Sequence, residues 1–324
     1  MTESEWVDKI RSGDRVALSR AITLCESNNR EKQEQGFAIL NEAYPYSGNS
    51  IRIGISGTPG AGKSTFIESF GLYLIEKGHK VAVLAVDPSS SLSKGSILGD
   101  KTRMEKLSVH PQAFIRPSPS GNMLGGLSAR TAESIILCET AGYDFILVET
   151  VGVGQSEVLV KDVSDMFILI AQPGAGDELQ GIKRGIMEIT DLILVNKDDG
   201  ALASSAGLTY RQIKNAMGLF PPAFHGIPKS ILRISALNHK GMDKVYDSVQ
   251  AFIKKSKEGG FLDKWRNQSE ETRFMSYSKD FAWEWIQKQK DFKNAVEQAM
   301  KQIKNKETYA YKAARAIFQN KSDI

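Results

Sequence analysis

Cysteine is scarce in this sequence of 324 residues. Only Cys25 and Cys138 occur, and each lies in an apolar pattern of helical spacing. Two cysteines so placed support neither a disulfide framework nor a cysteine-based metal site. Such usage fits a reducing compartment, and we expect the protein to be cytoplasmic.

Long apolar runs are also missing. No stretch reaches the roughly 18 apolar residues of a membrane span. The N-terminus, MTESEWVDKIRSGDR, carries acidic residues early and no apolar segment of signal length. Histidine occurs four times, at positions 79, 110, 225 and 239, without the spacing of metal ligands. We therefore expect a soluble protein without a membrane partner or a histidine metal site.

The net charge of +4 is small and unevenly distributed. Residues 254–324 hold 16 basic and 10 acidic side chains, so the basic excess lies in the tail. These charges alternate with apolar residues, and no nucleic-acid-binding signature accompanies them. We expect no nucleic-acid partner.

The spacing of apolar residues divides the chain into three regions. Residues 1–48 have helical spacing and are predicted to form an N-terminal helical extension. In residues 49–256, short apolar runs alternate with helical patterns. Strands are predicted at 51–56, 80–86, 143–148, 166–171, 191–195 and 231–235. Such alternation indicates an α/β fold with a mostly parallel central sheet flanked by helices.

The third region, residues 257–324, follows the boundary sequence KKSKEGG at 254–260 and is predicted to be a helical arm. Its apolar residues form one amphipathic stripe. The stripe consists of Phe274, Tyr277, Phe281, Trp285, Phe292, Val296, Ala299 and Ile303. It could pack against the chain's own nucleotide domain or form a homodimer interface, and the spacing does not decide between them.

The stretch GISGTPGAGKSTF at 54–66 contains the phosphate-binding pattern GxxxxGK[ST] directly after a predicted strand. Glycines let backbone amides wrap a β-phosphate, and the helix N-terminus adds positive potential. The lysine bridges β- and γ-phosphates, the serine binds Mg²⁺, and the next threonine lies near the α-phosphate. The predicted binding residues are Gly57, Pro59, Gly60, Ala61, Gly62, Lys63, Ser64 and Thr65.

The run LILVNKDDG is predicted to bind the base of the nucleotide. Asn196, Lys197 and Asp199 form N-K-x-D at the end of a predicted strand. Guanine presents N1–H and its N2 amino group as paired donors, which one carboxylate can accept together, whereas adenine lacks that edge. The sequence RISAL follows at 233–237, where Ser235 and Ala236 could cap the base. The predicted nucleotide is therefore GTP or GDP.

Three acidic residues at or near the ends of strands are candidates for a magnesium site. They are Asp87, Asp100 and Glu149. Mg²⁺ prefers oxygen ligands in octahedral array and usually keeps several waters and phosphate oxygens. We predict that Ser64 and these three carboxylates surround the ion, some of them through water.

The loop ETVGVGQSE at 149–157 has the position of a switch. Gly152 can donate its amide to the γ-phosphate and let the loop move after hydrolysis. In Ras-like enzymes the next residue is the glutamine that orients the attacking water, but here it is Val153. We therefore predict slow intrinsic hydrolysis that depends on a partner.

The loop QPGAGDELQGIKRG at 172–185 is a further candidate switch, because it follows the next strand and is rich in glycine and charge. It could carry Asp177, Glu178, Lys183 or Arg184 toward the phosphates or a partner. A plain turn followed by a capped helix is the alternative.

The motifs GTPGAGKST, VLAVDPSS, ETVGVGQSE, QPGAGDELQGIK and NKDD stand in this order, with GDRVALSRAITLCES before them. Together they resemble the MeaB/ArgK family of methylmalonyl-CoA mutase-associated P-loop GTPases, from about residue 13 to the 250s and more loosely beyond. The resemblance implies a GTPase chaperone that binds an adenosylcobalamin-dependent acyl-CoA mutase, gates its cofactor loading and protects it. It also implies a homodimer through the C-terminal helices.

The resemblance implies the same site residues as the motifs do. Lys63 and Ser64 match the phosphate loop, Asp87, Asp100 and Glu149 the Mg²⁺ site, and Asn196, Lys197 and Asp199 the guanine site. Lys183 is the matching lysine of the family's additional switch. With Gly152 from the switch loop ETVGVGQSE, the predicted catalytic set is Lys63, Glu149, Gly152 and Lys183.

Three other functions share parts of this pattern. A nickel-insertion GTPase would carry cysteine or histidine near its switch loops, where this chain has His110 alone. A kinase would need an acceptor site and tolerance of ATP, which Asp199 opposes. A nucleotide-gated interaction module with negligible turnover is the third, and Val153 is its best argument.

Overall fold

A parallel seven-stranded sheet forms the centre of the computed structural model, which describes residues 1–86, 104–118, 126–150, 156–174, 184–217 and 226–319. The strands are β1 (Ile51–Gly57), β2 (Val81–Val86), β3 (Ala113–Ser118), β4 (Phe145–Thr150), β5 (Met166–Ala171), β6 (Leu192–Val195) and β7 (Ser230–Arg233). Their order across the sheet is β3-β2-β4-β1-β5-β6-β7. The predicted α/β fold with a parallel sheet is confirmed.

Strands β2, β4, β5 and β6 are buried along their whole length, as expected for a sheet covered by helices on both faces. β1 pairs with both β4 and β5, so that Ile53 lies beside Leu147 on one side and Met166 on the other. Because all the strands are parallel, the loops that follow β1, β4, β5 and β6 leave from one edge of the sheet.

The six predicted strands are present, with ends that differ by at most two residues from the predicted bounds. β3 was not predicted. It is an edge strand, AFIRPS, in which Arg116 and Pro117 interrupt the apolar run. Proline is tolerated at the edge of a sheet because it lacks the amide that an inner strand would need. Its position at the edge therefore explains why β3 lacks the continuous apolar run of the predicted strands.

Helices lie between successive strands as the sequence predicts, and further helices precede β1 and follow β7. They are α1 (Glu3–Arg11), α2 (Arg15–Cys25), α3 (Arg30–Ala43), α4 (Lys63–Glu76), α5 (Glu105–Val109), α6 (Gly126–Thr140), α7 (Ser156–Asp162), α8 (Arg184–Ile189), α9 (Ala203–Met217), α10 (Met242–Glu258), α11 (Phe261–Lys288), α12 (Lys290–Lys304) and α13 (Ala310–Gln319). Within the described residues, none of these helices has both the length and the apolar character to cross a membrane.

The three N-terminal helices begin at side-chain caps. Thr2 and Glu5 form a capping box at α1, Asp14 caps α2 and Asn29 caps α3. Apolar residues of these helices, such as Ile22, share one buried cluster with α6 and with one face of the sheet. These three helices thus pack against the sheet.

Both cysteines are buried free thiols, Cys25 at the end of α2 and Cys138 in α6. Burial raises the pKa of each thiol well above its ordinary value, because the thiolate would lose its hydration. Thiols that stay protonated are poor nucleophiles. Neither cysteine is suited to redox chemistry or metal binding.

By compactness the chain divides into residues 1–270 and 271–324. In the second unit the predicted amphipathic stripe is interrupted at Gln289, between α11 and α12. Phe274, Phe281 and Trp285 are exposed, whereas Phe292 is buried. The division of roles at residues 48 and 256 stays a prediction.

Candidate nucleotide-binding site

The predicted phosphate loop joins β1 to α4. β1 ends at Gly57 and α4 begins at Lys63, with Gly62 as its N-cap in the left-handed conformation at φ 89°. A Cβ on Gly57 would lie 2.4 Å from the carbonyl oxygen of Ile170, and one on Gly62 would lie 2.5 Å from Nδ2 of Asn196. The backbone of β5 therefore requires glycine at position 57, and the left-handed φ together with the side chain of Asn196 requires it at position 62.

The lysine of the loop lies across it. Lys63 Nζ donates to the carbonyl oxygen of Gly57 at 2.8 Å. The ammonium group is thus held across the loop against the end of β1. A helix N-terminus, left-handed glycines and a lysine together form an arrangement suited to a phosphate chain.

Ser64 follows the lysine and contacts the neighbouring strand. Its hydroxyl donates to Oε1 of Glu149 at 3.3 Å, and Glu149 is buried near the end of β4. A hydroxyl and a carboxylate side by side provide the oxygen ligands that Mg²⁺ prefers. These two residues fit a magnesium site in which phosphate oxygens and waters complete the coordination.

The remaining predicted groups of the phosphate side lie outside the described residues. They are Asp87, Asp100, Gly152 and Lys183, and they stay predictions. In the part of the chain that the structure describes, no group of three or more His, Cys, Asp or Glu side chains is arranged to hold a metal ion.

Asn196 connects the two halves of the predicted nucleotide site. Its Nδ2 donates to the carbonyl oxygen of Ala61 in the phosphate loop at 2.8 Å. Its Oδ1 accepts from the backbone amide of Ala236 at 3.0 Å. Asn196 is buried and immediately follows β6. One side chain thus fixes the phosphate loop relative to the turn that is predicted to cap the base.

The two adjacent aspartates of NKDD have different partners. Asp198 is buried and accepts from Arg233 and, at 2.9 Å, from Lys240. Burial alone would raise the pKa of Asp198, but the hydrogen bonds and charges of Arg233 and Lys240 outweigh it and lower that pKa. This carboxylate is therefore a structural anion.

Asp199 is only partly buried and accepts from the hydroxyl of Ser235. The preceding Lys197 adopts the left-handed conformation at φ 61°, which is uncommon for lysine. Asp199 and Ser235 thus lie together at the edge of the sheet where β6 ends. Their contact brings the two predicted base-binding sequences, NKDD and RISAL, into one place.

Sequence reasoning missed three participants in this region. Lys240 and Arg233 pair with Asp198, and His239 contacts Ser69 of α4, with Nδ1 and Oγ 2.8 Å apart. No motif or spacing in the sequence pairs Arg233 or Lys240 with Asp198. No motif or spacing points to His239, which is one of four scattered histidines.

Known proteins similar to this chain are GTPases by name. The family model described as "Methylmalonyl Co-A mutase-associated GTPase MeaB" matches residues 18–291. A probable GTPase of Mycobacterium tuberculosis is 50% identical over 241 residues, which cover 74% of this chain and 72% of that protein. GTPase ArgK of Escherichia coli is 41% identical over 304 residues, covering 94% and 92%.

A solved structure resembles the whole chain. It is a crystal structure described as a LAO/AO transport system kinase, with a TM-score of 0.76 and 34% sequence identity. The match covers 98% of this chain and 97% of the other. The α/β architecture around the phosphate loop is thus shared with a protein of known structure.

Proposed function

Since this chain belongs to the MeaB family of methylmalonyl-CoA mutase-associated GTPases, we propose that it is a chaperone of an adenosylcobalamin-dependent mutase, and specifically of methylmalonyl-CoA mutase. The chain is a GTPase, as its relatives are named. The client is inferred from the family, which is named for its association with that enzyme. In this proposal, GTP binding and hydrolysis gate cofactor loading and protect the mutase from inactivation.

The observation that carries the nucleotide part of the proposal is the position of Asn196. It holds the carbonyl of Ala61 and the amide of Ala236 at the same time. A nucleoside phosphate that spans the two sites would find both already oriented, which reduces the cost of binding. Asp199 would accept the two donors of guanine, with Lys197, Ser235 and Ala236 around the base.

On the phosphate side, we assign the diphosphate to the loop of Gly57, Pro59, Gly60, Ala61, Gly62, Lys63, Ser64 and Thr65. Lys63 would exchange the carbonyl of Gly57 for phosphate oxygens when nucleotide binds. Ser64, beside Glu149, would hold Mg²⁺, with Asp87 and Asp100 contributing through water. Bound Mg²⁺ would neutralise charge that develops on the phosphates.

The turnover of GTP is proposed to be slow without the mutase. Val153 offers no group that orients water, and Gly152 and Lys183 are proposed to respond to the γ-phosphate. Nucleotide can change partner binding only through contacts that differ between the GTP and GDP states. The two candidate switch loops would make those contacts.

The assembly and location complete the proposal. We propose that residues 257–324 mediate a homodimer and that residues 49–256 form the GTPase domain, with residues 1–48 as an extension. The exposed aromatic residues of α11, such as Phe281 and Trp285, provide apolar surface for such an interface. A cytoplasmic location, expected from the sequence, belongs to the same proposal.

The experiment is a binding and turnover assay with purified methylmalonyl-CoA mutase. The chain is loaded with GDP or with a non-hydrolysable GTP analogue, and its affinity for the mutase is measured in each state. We expect the two affinities to differ and the mutase to accelerate GTP hydrolysis. Equal affinities without acceleration would reject the chaperone role, and a cobalamin-independent enzyme serves as control.

A further inference from the structure

A six-residue turn, residues 235–240, carries the predicted base-capping residues; we name it the base turn. Its ends are joined by two hydrogen bonds, from Ser235 N to the Lys240 carbonyl at 3.1 Å and from Lys240 N to the Ser235 carbonyl at 3.0 Å. Inside the turn, the amide of Asn238 donates to Ser235 Oγ at 3.2 Å. The hydroxyl that contacts Asp199 is therefore oriented by the turn itself.

One contact ties the base turn to the helix that follows the phosphate loop. His239 Nδ1 and Ser69 Oγ lie 2.8 Å apart, although 170 positions separate the two residues. Ser69 lies in α4, six residues after Lys63, and is only 2% exposed. The exposed histidine thus joins the base turn to a buried serine in the second turn of α4.

The backbone of His239 is held in an unfavourable conformation. Its φ is 55°, in the left-handed region that residues other than glycine adopt uncommonly, with histidine more often there than most. Such a conformation persists only where the surroundings favour it. In this conformation the imidazole of His239 lies within hydrogen-bond distance of Ser69.

The contact does not depend on the tautomer of the ring. If Nδ1 carries the proton, it donates to Ser69 Oγ, and if it does not, the serine hydroxyl donates to it. A buried serine within a helix commonly donates to a carbonyl of the preceding turn. Ser69 bonds to His239, so its hydroxyl joins α4 to the base turn.

We propose that His239 is a positioning residue for guanine recognition, which fixes the base turn against α4 through Ser69. The inference rests on the proposed guanine-nucleotide site. Asn196 holds the amide of Ala236 near the start of the turn, and His239 holds the end of the same turn. Fixing both ends keeps Ser235 against Asp199 at the place where guanine is to be distinguished from other bases.

The test compares variants of both partners. His239→Gly removes the ring and relieves the left-handed strain, so it isolates the hydrogen bond. His239→Asn places a polar atom where Nδ1 lies and tolerates left-handed φ. Ser69→Ala removes the partner hydroxyl without touching the base turn. Ser134→Ala is the matched control, since Ser134 is another buried helical serine, bonded to the carbonyl of Arg130.

The measured quantity is the ratio of affinities for GDP and inosine diphosphate, obtained by calorimetry on the full chain. Inosine lacks the 2-amino group and so reports on the contact with Asp199. Loss of one hydrogen bond predicts that His239→Gly and Ser69→Ala lower this ratio about five-fold. His239→Asn and Ser134→Ala should keep the ratio of the unchanged chain.

Three outcomes decide the matter. An unchanged ratio in Ser69→Ala overturns the proposal, and it does so even if His239→Gly fails to fold. A ratio that falls equally in His239→Asn and His239→Gly also overturns it, because the hydrogen bond would not be the cause. If the unchanged chain does not prefer GDP to ADP, the proposed guanine site itself fails, which is a separate result.

Discussion

Asn196 Nδ2 lies 2.8 Å from the carbonyl oxygen of Ala61, so a side chain after β6 closes the loop after β1. A Cβ on Gly62 would meet the same amide nitrogen at 2.5 Å. The phosphate loop and the predicted base-binding residues therefore form one packed unit. Changes at their junction should alter folding and nucleotide binding together.

The first prediction concerns this junction. Asn196→Ala leaves the carbonyl of Ala61 and the amide of Ala236 without the bonds they now make, which costs about 1–3 kcal/mol for each buried group. We expect a lower melting temperature and weaker GDP binding. Calorimetric melts with and without GDP measure both effects. A variant with unchanged stability would show that neither bond contributes.

A second prediction separates the adjacent aspartates. Asp199→Asn should weaken GDP binding and favour xanthosine diphosphate, because the amide can donate to the 2-oxo group of xanthine. Asp198→Asn should retain guanine preference and lose stability, because Arg233 and Lys240 lose their anion. Titration of both variants with the two nucleotides checks this. The assignment of the base contact would be rejected by unchanged guanine affinity in Asp199→Asn.

The pH dependence of stability provides a third prediction. The pKa of Asp198 is lowered in the folded chain, so the folded state favours the ionised carboxylate. Its contribution to stability is present above the ordinary pKa of about 3.9 and is lost as the pH falls through the lower folded value. The gap in melting temperature between the unchanged chain and Asp198→Asn should therefore shrink on acidification. If the difference in melting temperature stays constant down to the lowest pH at which both proteins fold, the prediction is wrong.

The success of sequence reasoning here depended on how local each signal was. The phosphate loop and NKDD are short contiguous motifs, so the sequence alone could propose them, although the partners of Asn196 and Asp198 lie far away in sequence. β3 was missed because its Arg116 and Pro117 break the apolar pattern, and only its place at the edge of the sheet explains them. The contact of His239 with Ser69 joins two elements far apart in sequence. No periodicity or motif encodes such a contact.

A fourth prediction tests the opposite edge of the sheet, where the strands begin. Arg266 donates to both carboxylate oxygens of Asp165, at 2.8 and 2.7 Å, and to the carbonyls of Gly48 and Ser50. The side chain of Asp165 is only 1% exposed. Burial opposes the charge of Arg266, but its bonds to Asp165 outweigh burial and raise its pKa.

Removing the cation leaves a buried carboxylate without this partner. Arg266→Met should therefore destabilise the first unit by about 3–5 kcal/mol, the usual cost of breaking a buried ion pair. Guanine affinity of the folded fraction should not change, because the nucleotide site lies at the other edge. Denaturant titration gives the free energy of unfolding. The exposed pair of Arg30 and Glu34 offers a control, since Glu34→Gln should cost less than about 1 kcal/mol.

The fifth prediction concerns magnesium. Ser64 Oγ donates to Glu149 at 3.3 Å, and in the proposed complex the same hydroxyl oxygen would bind Mg²⁺. Ser64→Ala removes that ligand but leaves the backbone amide that is proposed to contact phosphate. The release of a fluorescent GDP should be about equal in the two proteins when Mg²⁺ is chelated. In saturating Mg²⁺ the unchanged chain should release GDP more slowly, whereas the release rate of the variant should change far less.

If Mg²⁺ slows release equally in both proteins, the hydroxyl of Ser64 is not a ligand. Thr65→Ala is a suitable neighbour control, because we place Thr65 near the α-phosphate and away from the metal.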